Sequence, residues 1–170
     1  MVWGYMAGGF LVFGLMPSLI YLVTVLLDNI GRVEIFPNSV FRWIVVSLLF
    51  LIGLFYGIWS ILIQYRLGKG GPLEVGNVEI SPQTENLVVS GPYKNTRNPM
   101  LFGTFLIYLA FAFILNSIAA VLIVVAIFVF MLTVVVKMEE KRLSKDFGTS
   151  YETYRRKVSK FIPWFQRKIP

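Results

Sequence analysis

Four apolar runs decide what this chain can fold into. They extend over about Val2 to Leu27, Phe41 to Tyr65, Pro99 to Leu115, and Ile118 to Val136 or Lys137. Each carries almost no charge. A helix of about 20 apolar residues crosses a bilayer core. Inside that core every backbone N–H and C=O must be satisfied within the segment, so such runs cross as helices. Composition agrees: 56% of the 170 residues are hydrophobic and 15% are charged. A soluble domain has about 45–50% and about 25%. The expected fold class is an all-α integral membrane protein in one domain, with four transmembrane helices and a cytoplasmic C-terminal helical segment.

The punctuation between the runs sets the topology. Pro17 is expected to kink the first span, whose length and lack of a basic start argue against a cleaved signal peptide. Gly53 and Gly57 in the second span are spaced for close approach of another helix. Asn116 and Ser117 make a tight turn, with Ser117 capping the fourth helix, so the third and fourth spans form a helical hairpin. The Arg66–Arg97 loop is basic. The segment from Lys137 to Pro170 has ten Lys or Arg against four Asp or Glu. Both therefore belong on the cytoplasmic side, with both termini, in a prokaryotic-type cell membrane. In the tail, Gly148 should end the fourth helix, Thr149 and Glu152 match a capping box, and Phe161–Phe165 (FIPWF) suits an interfacial anchor.

Missing residue types exclude whole classes of chemistry. There is no Cys and no His. Thiolate nucleophiles, disulfides, zinc sites and a histidine base are absent, and no metal is expected. The net charge of +7 points to anionic lipid headgroups. No nucleic-acid motif accompanies it. The glycine-rich RLGKGGPLEVG segment lacks the spacing of a phosphate-binding loop.

Two polar clusters remain. One is Leu87–Gly103, LVVSGPYKNTRNPMLFG, where Asn98 is placed to cap a helix and Pro99 to start it. The other is Lys137–Arg142, with Glu139 and Glu140 about 100° apart around a helix axis. A hairpin makes the clusters neighbours. A solvated helix end is the plain alternative for the second cluster.

Read in order, Gly91-Pro92-Tyr93, Arg97-Asn98-Pro99-Met100, Glu139-Glu140 with Leu143, Phe147-Gly148, Tyr151, Tyr154 and Phe161-Ile162-Pro163 resemble the isoprenylcysteine carboxyl methyltransferase and phospholipid methyltransferase superfamily. The likeness covers about Gly68 to Pro163. It implies an integral membrane methyltransferase using S-adenosylmethionine. It further implies that Val88, Val89, Gly91, Tyr93, Arg97, Asn98, Pro99, Glu139 and Glu140 line the cofactor site. Arg97 and Arg156 are the candidate catalytic residues, with Arg155 or Arg156 placed to pair a substrate carboxylate. Asn98 stands where many members have His, and Leu101 where Tyr is frequent.

Methyl transfer from a sulfonium is an in-line displacement that chiefly needs alignment. A carboxylate acceptor needs no base, so the absence of His favours carboxyl O-methylation of an isoprenylcysteine-type, lipid-like substrate entering from the bilayer. The alternatives are N-methylation of a phospholipid amine and S-methylation of a thiol. Outside enzymes, a small helical-bundle lipid-binding or carrier protein is the competing reading.

Overall fold

The computed structural model describes residues 9–68 and 86–164, together with the backbone of two short strands at 74–75 and 78–79. The first residues of the first run, most of the glycine-rich segment after Gly68, Pro82 and Phe165 lie outside the described residues. Four helices carry the fold: α1 (Leu11–Gly31), α2 (Ser39–Gly68), α3 (Pro99–Leu115) and α4 (Ile118–Lys157). Strands β1 (Glu74–Val75) and β2 (Val78–Glu79) pair antiparallel between α2 and α3. A 3-10 turn at Gly91–Lys94 precedes α3.

Among the described residues, α1, α2 and α4 are long and apolar enough to cross a membrane, and α3 is a shorter apolar helix of 17 residues. Their outer faces present Leu26, Leu48, Leu51, Phe55, Leu122 and Phe130 outward. So much contiguous apolar surface is stable only against lipid. This is an integral membrane protein.

Packing starts from two glycines. A Cβ on Gly53 would lie 2.8 Å from the Gly103 oxygen, and one on Gly103 would lie 2.7 Å from the Gly53 oxygen and the Gly57 nitrogen. The α2 and α3 backbones therefore touch, as the Gly53/Gly57 spacing suggests. The other core joins α1, α3 and α4 through Ile20, Tyr108, Ala112, Ala120, Val124 and Phe128. Pro17 is accommodated next to a widened π-helical turn at Leu11–Leu15. The Tyr108 hydroxyl donates to Val12 O in that turn at 2.5 Å.

The α3–α4 hairpin forms as its sequence dictates. Asn116 adopts the left-handed conformation (φ 51°, ψ 47°) and Ser117 accepts from the Ala120 N–H. The turn is also tied to the α1–α2 connection. Asn116 Oδ1 accepts from the Ile35 and Phe36 N–H groups, the Ser117 hydroxyl donates to Asp28 at 2.7 Å, and the Ile118 N–H donates to Val33 O.

Two local expectations are corrected, and a third holds. Asn98 sits at the α3 N-cap position but its side chain does not cap; its Nδ2 donates to Lys160 O instead. Gly148 (φ 51°, ψ −128°) breaks α4 where the sequence places a helix end, and a further helical segment runs on to Lys157. No Thr149–Glu152 capping box forms: the Glu152 carboxylate instead accepts from the Ser144 hydroxyl across the break, at 2.5 Å.

The glycine contact predicts unequal tolerance. Gly53→Ala and Gly103→Ala overpack a backbone contact, a class of change costing about 1–3 kcal/mol. Gly57 has open space where its Cβ would go. Thermal unfolding in detergent should fall clearly for the first two and stay level or rise for Gly57→Ala.

Candidate active site

At the end of the bundle where α2 stops, α3 starts and α4 leaves its apolar stretch, three segments meet: the turn 91–98, the helix around Glu140, and residues 151–164. The turn is shaped by Gly91 (φ 60°), where a Cβ would come within 3.0 Å of Ile63 and 3.4 Å of Trp59 of α2, and by the buried Pro92. The Tyr93 hydroxyl donates to Gln64 Oε1 at 2.7 Å, in the π-helical turn Gln64–Gly68 that ends α2.

The segment after α4 then straps the turn. The Arg97 N–H donates to Ser159 O at 2.9 Å and the Trp164 N–H to Asn95 O at 3.0 Å. The fully buried Thr96 donates its hydroxyl to Phe161 O at 2.8 Å. The Asn98 amide donates to Lys160 O at 2.8 Å. The Tyr154 hydroxyl donates to Tyr93 O at 2.7 Å. Phe161 completes the strap by lying edge-on to Phe102 and Phe105 of α3.

Inside this frame lies an ion pair. Arg97 Nη1 is 2.8 Å from Glu140 Oε1, with side chains only 9% and 8% exposed. The contact is close but not an aligned hydrogen bond. Nη1, Nε and Oε1 are all shielded from solvent and none has a hydrogen-bond partner of good geometry among the described residues. An unsatisfied buried polar group costs about 1–3 kcal/mol, more when charged. The pair therefore has unused bonding capacity facing inward. Tyr151, 1% exposed, closes one side. Its phenol is pushed up to about 12, first by burial and then by the Glu140 charge, with Arg97 opposing. Burial likewise raises Tyr93 and Tyr154. All three phenols stay neutral at physiological pH, where they can donate but not act as bases.

The paired glutamates divide as the helical offset requires. Glu140 faces Arg97. Glu139 turns outward and takes a two-pronged contact from Arg142 at 2.5 and 3.1 Å, and Arg142 also reaches Asp146 at 3.3 Å. Val88 is half-buried and Val89 exposed, just before the turn, and Pro99 is buried at the start of α3. Arg155 is turned out toward Glu152 at 3.7 Å. Arg156 is exposed and makes no hydrogen bond or ion pair with this cluster among the described residues. Sequence reasoning missed Gln64, Thr96, Ser159 and Lys160. A lone polar residue closing an apolar run was the available signal for Gln64. Thr96, Ser159 and Lys160 had none, because only the return of the chain gives them partners.

A model of the phospholipid methyltransferase family matches residues 41–150. The chain belongs to this family. The matched region holds α2, the 91–98 turn, α3 and Glu139–Glu140, so both halves of the ion pair fall within it, and residues 151–164 lie beyond it. Membership places the chain among the integral membrane methyltransferases. No curated protein and no solved structure matches it.

Burial decides which glutamate matters to the fold. Removing one partner of a buried pair costs about 3–5 kcal/mol, while exposed pairs contribute about 0–1 kcal/mol. Glu140→Gln should lower the thermal midpoint in detergent by several degrees or more, and Glu139→Gln should leave it nearly unchanged.

Proposed function

We propose that the chain is an S-adenosylmethionine-dependent methyltransferase that methylates the head group of a phospholipid, with its site between the 91–98 turn and Glu140. The observation that carries this reading is the buried Arg97–Glu140 contact with its unpartnered Nε, inside the region the methyltransferase family shares. The cofactor fits these residues. It has a carboxylate for a guanidinium with an unused N–H, and an ammonium and a ribose diol for carboxylates. When bound it supplies an electrophilic methyl on a sulfonium. Arg97 and Glu140 would hold it, with main-chain groups at Val88, Val89 and Gly91 and the buried edge of Pro99 beside them. Tyr93 would contribute its ring, because its hydroxyl is committed to Gln64. Asn98 would act indirectly, through the Lys160 carbonyl that it holds. Glu139, turned outward, is placed at the rim.

The chain's own contribution is alignment and exclusion of water. The pair itself is nearly closed to solvent, and the buried Tyr151 lies beside both charges. Neutral phenols around it keep the charge count low, so the guanidinium and carboxylate remain the dominant local charges. Acceptors arrive sideways, since α3 and α4 face lipid and the site lies at their polar end. We read α3 as a fourth crossing. At 1.5 Å per residue it spans about 25 Å, short of a core of about 30 Å. Both termini and the site are then cytoplasmic, where the basic loop and tail belong.

The family match favours a phospholipid amine as acceptor. One observation favours a carboxylate acceptor of the isoprenylcysteine type instead: the chain has no His and the site phenols stay protonated, so a pre-ionised nucleophile needs no base. Purified protein given methyl-tritiated S-adenosylmethionine, with phosphatidylethanolamine or a prenylated cysteine as acceptor, separates the two. Label should enter phosphatidylethanolamine, and Arg97→Ala and Glu140→Gln should each lose about 100-fold or more, the scale seen when one charge-stabilising group is removed. Label only in the prenylated cysteine would select the second reading. Label in neither would refute methyl transfer to lipids.

A further inference from the structure

Lys160 carries a charge for which the described residues provide no counter-ion. Its Nζ donates to Leu132 O at 2.7 Å, inside the π-helical turn Met131–Val135 of α4. The first charged residue of α4 is Lys137, five positions further on. At 1.5 Å per residue, the ammonium is therefore drawn about 7–8 Å below the polar edge of that helix. A cation at such depth is expensive, and ionisable residues there mark a partner or a ligand pathway. The acidic groups nearby are engaged elsewhere: Glu140 with Arg97, Glu139 and Asp146 with Arg142, and Glu152 with Arg155. An ammonium has three N–H donors, and Leu132 O uses one. The residue as a whole is partly exposed.

Its location is fixed from both sides. The Lys160 carbonyl accepts from Asn98, next to Arg97. The following ring, Phe161, is wedged against Phe102 and Phe105 on the apolar hairpin. Lys160 thus stands between the buried ion pair and the lipid-facing helices. In a phospholipid the phosphodiester likewise lies between the terminal head-group atoms and the acyl chains.

We propose that Lys160 is a specificity-determining residue that binds the phosphate of a phospholipid acceptor. This rests on the lipid-methyltransferase reading above. A phosphate at this depth meets a cation in a low-dielectric setting, where charge-assisted hydrogen bonds are strong, and lysine is a common point-charge phosphate ligand. The acyl chains then lie along the α3–α4 face, and the head-group end projects toward Arg97 and Glu140. The widened turn serves this arrangement by presenting the Leu132 carbonyl that steers the ammonium.

The test is equilibrium binding to the full chain in a phosphate-free detergent, without turnover. The probes are a short-chain phosphatidylethanolamine, the diacylglycerol with the same chains, and inorganic phosphate as competitor. The wild type should bind the phospholipid at least about tenfold more tightly than the diacylglycerol. Lys160→Gln, which keeps a donor for Leu132, should lose that preference while binding the diacylglycerol as before, and Lys160→Arg should keep it. The proposal is overturned if Lys160→Gln retains the preference, if the wild type has none, or if the variant weakens both lipids equally, which would make Lys160 a pin for the strap. Displacement by inorganic phosphate at concentrations matching the lipid would overturn it too, assigning the site to a free anion. Phospholipid bound through Lys160 without any methyl label would refute the methylation reading and leave this one standing.

Discussion

Bringing Arg97 and Glu140 together behind apolar walls costs several kcal/mol per ion in lost hydration. The surrounding architecture is what holds the two groups at that cost. Arg97 sits on a turn and Glu140 on a helix, and neither segment alone fixes both. The strap does so. Main-chain bonds from Arg97 to Ser159 and from Trp164 to Asn95, with the Thr96 hydroxyl on Phe161, make the turn and the end of the chain one unit. The pair is not optimised for stability, since its atoms lack aligned partners. Buried polar groups are nearly always hydrogen-bonded, so bonding capacity left open in a closed site calls for a specific cause.

The far end of the bundle determines whether that unit can form. Asn116 and Ser117 tie the α3–α4 turn to the α1–α2 connection through side-chain and main-chain bonds. Polar groups at that depth have few alternatives to each other, so the knot fixes how α3 and α4 leave it. Gly53 and Gly103 then set the distance between α2 and α3. With register fixed at one end and spacing fixed in the middle, Gln64, Tyr93, Arg97 and Glu140 converge at the other.

Much of this was legible in the sequence because bilayer physics leaves few choices. Apolar runs of adequate length read as helices, Asn116-Ser117 as a hairpin turn, and Gly53 as a contact point. The Arg97–Glu140 proximity followed from the hairpin, and the 100° offset between Glu139 and Glu140 foretold that they would face different ways. What was not legible depends on the return of the chain. Asn98 reads as a cap, yet its Nδ2 donates to Lys160 O in the strap and its side chain makes no cap bond, an orientation set by a distant partner that no local rule supplies. Glu152 reads as half of a capping box, yet the break at Gly148 brings Ser144 within its reach. Arg156 reads as a candidate for the chemistry, yet it is exposed and apart from the ion pair. Lys160 reads as one basic residue among ten, and only its partner in α4 sets it apart.

The central claim is that the 91–98 turn, the helix around Glu140 and the strap form one cofactor-binding unit. Hydrogen–deuterium exchange of the full chain in detergent, with and without S-adenosylmethionine, tests this most directly. Peptides covering 91–99, 136–147 and 151–164 should gain protection together and over the same range of cofactor concentration, while peptides from the Asn116 end remain unchanged. Protection confined to one of the three segments, or appearing in none, would contradict the account.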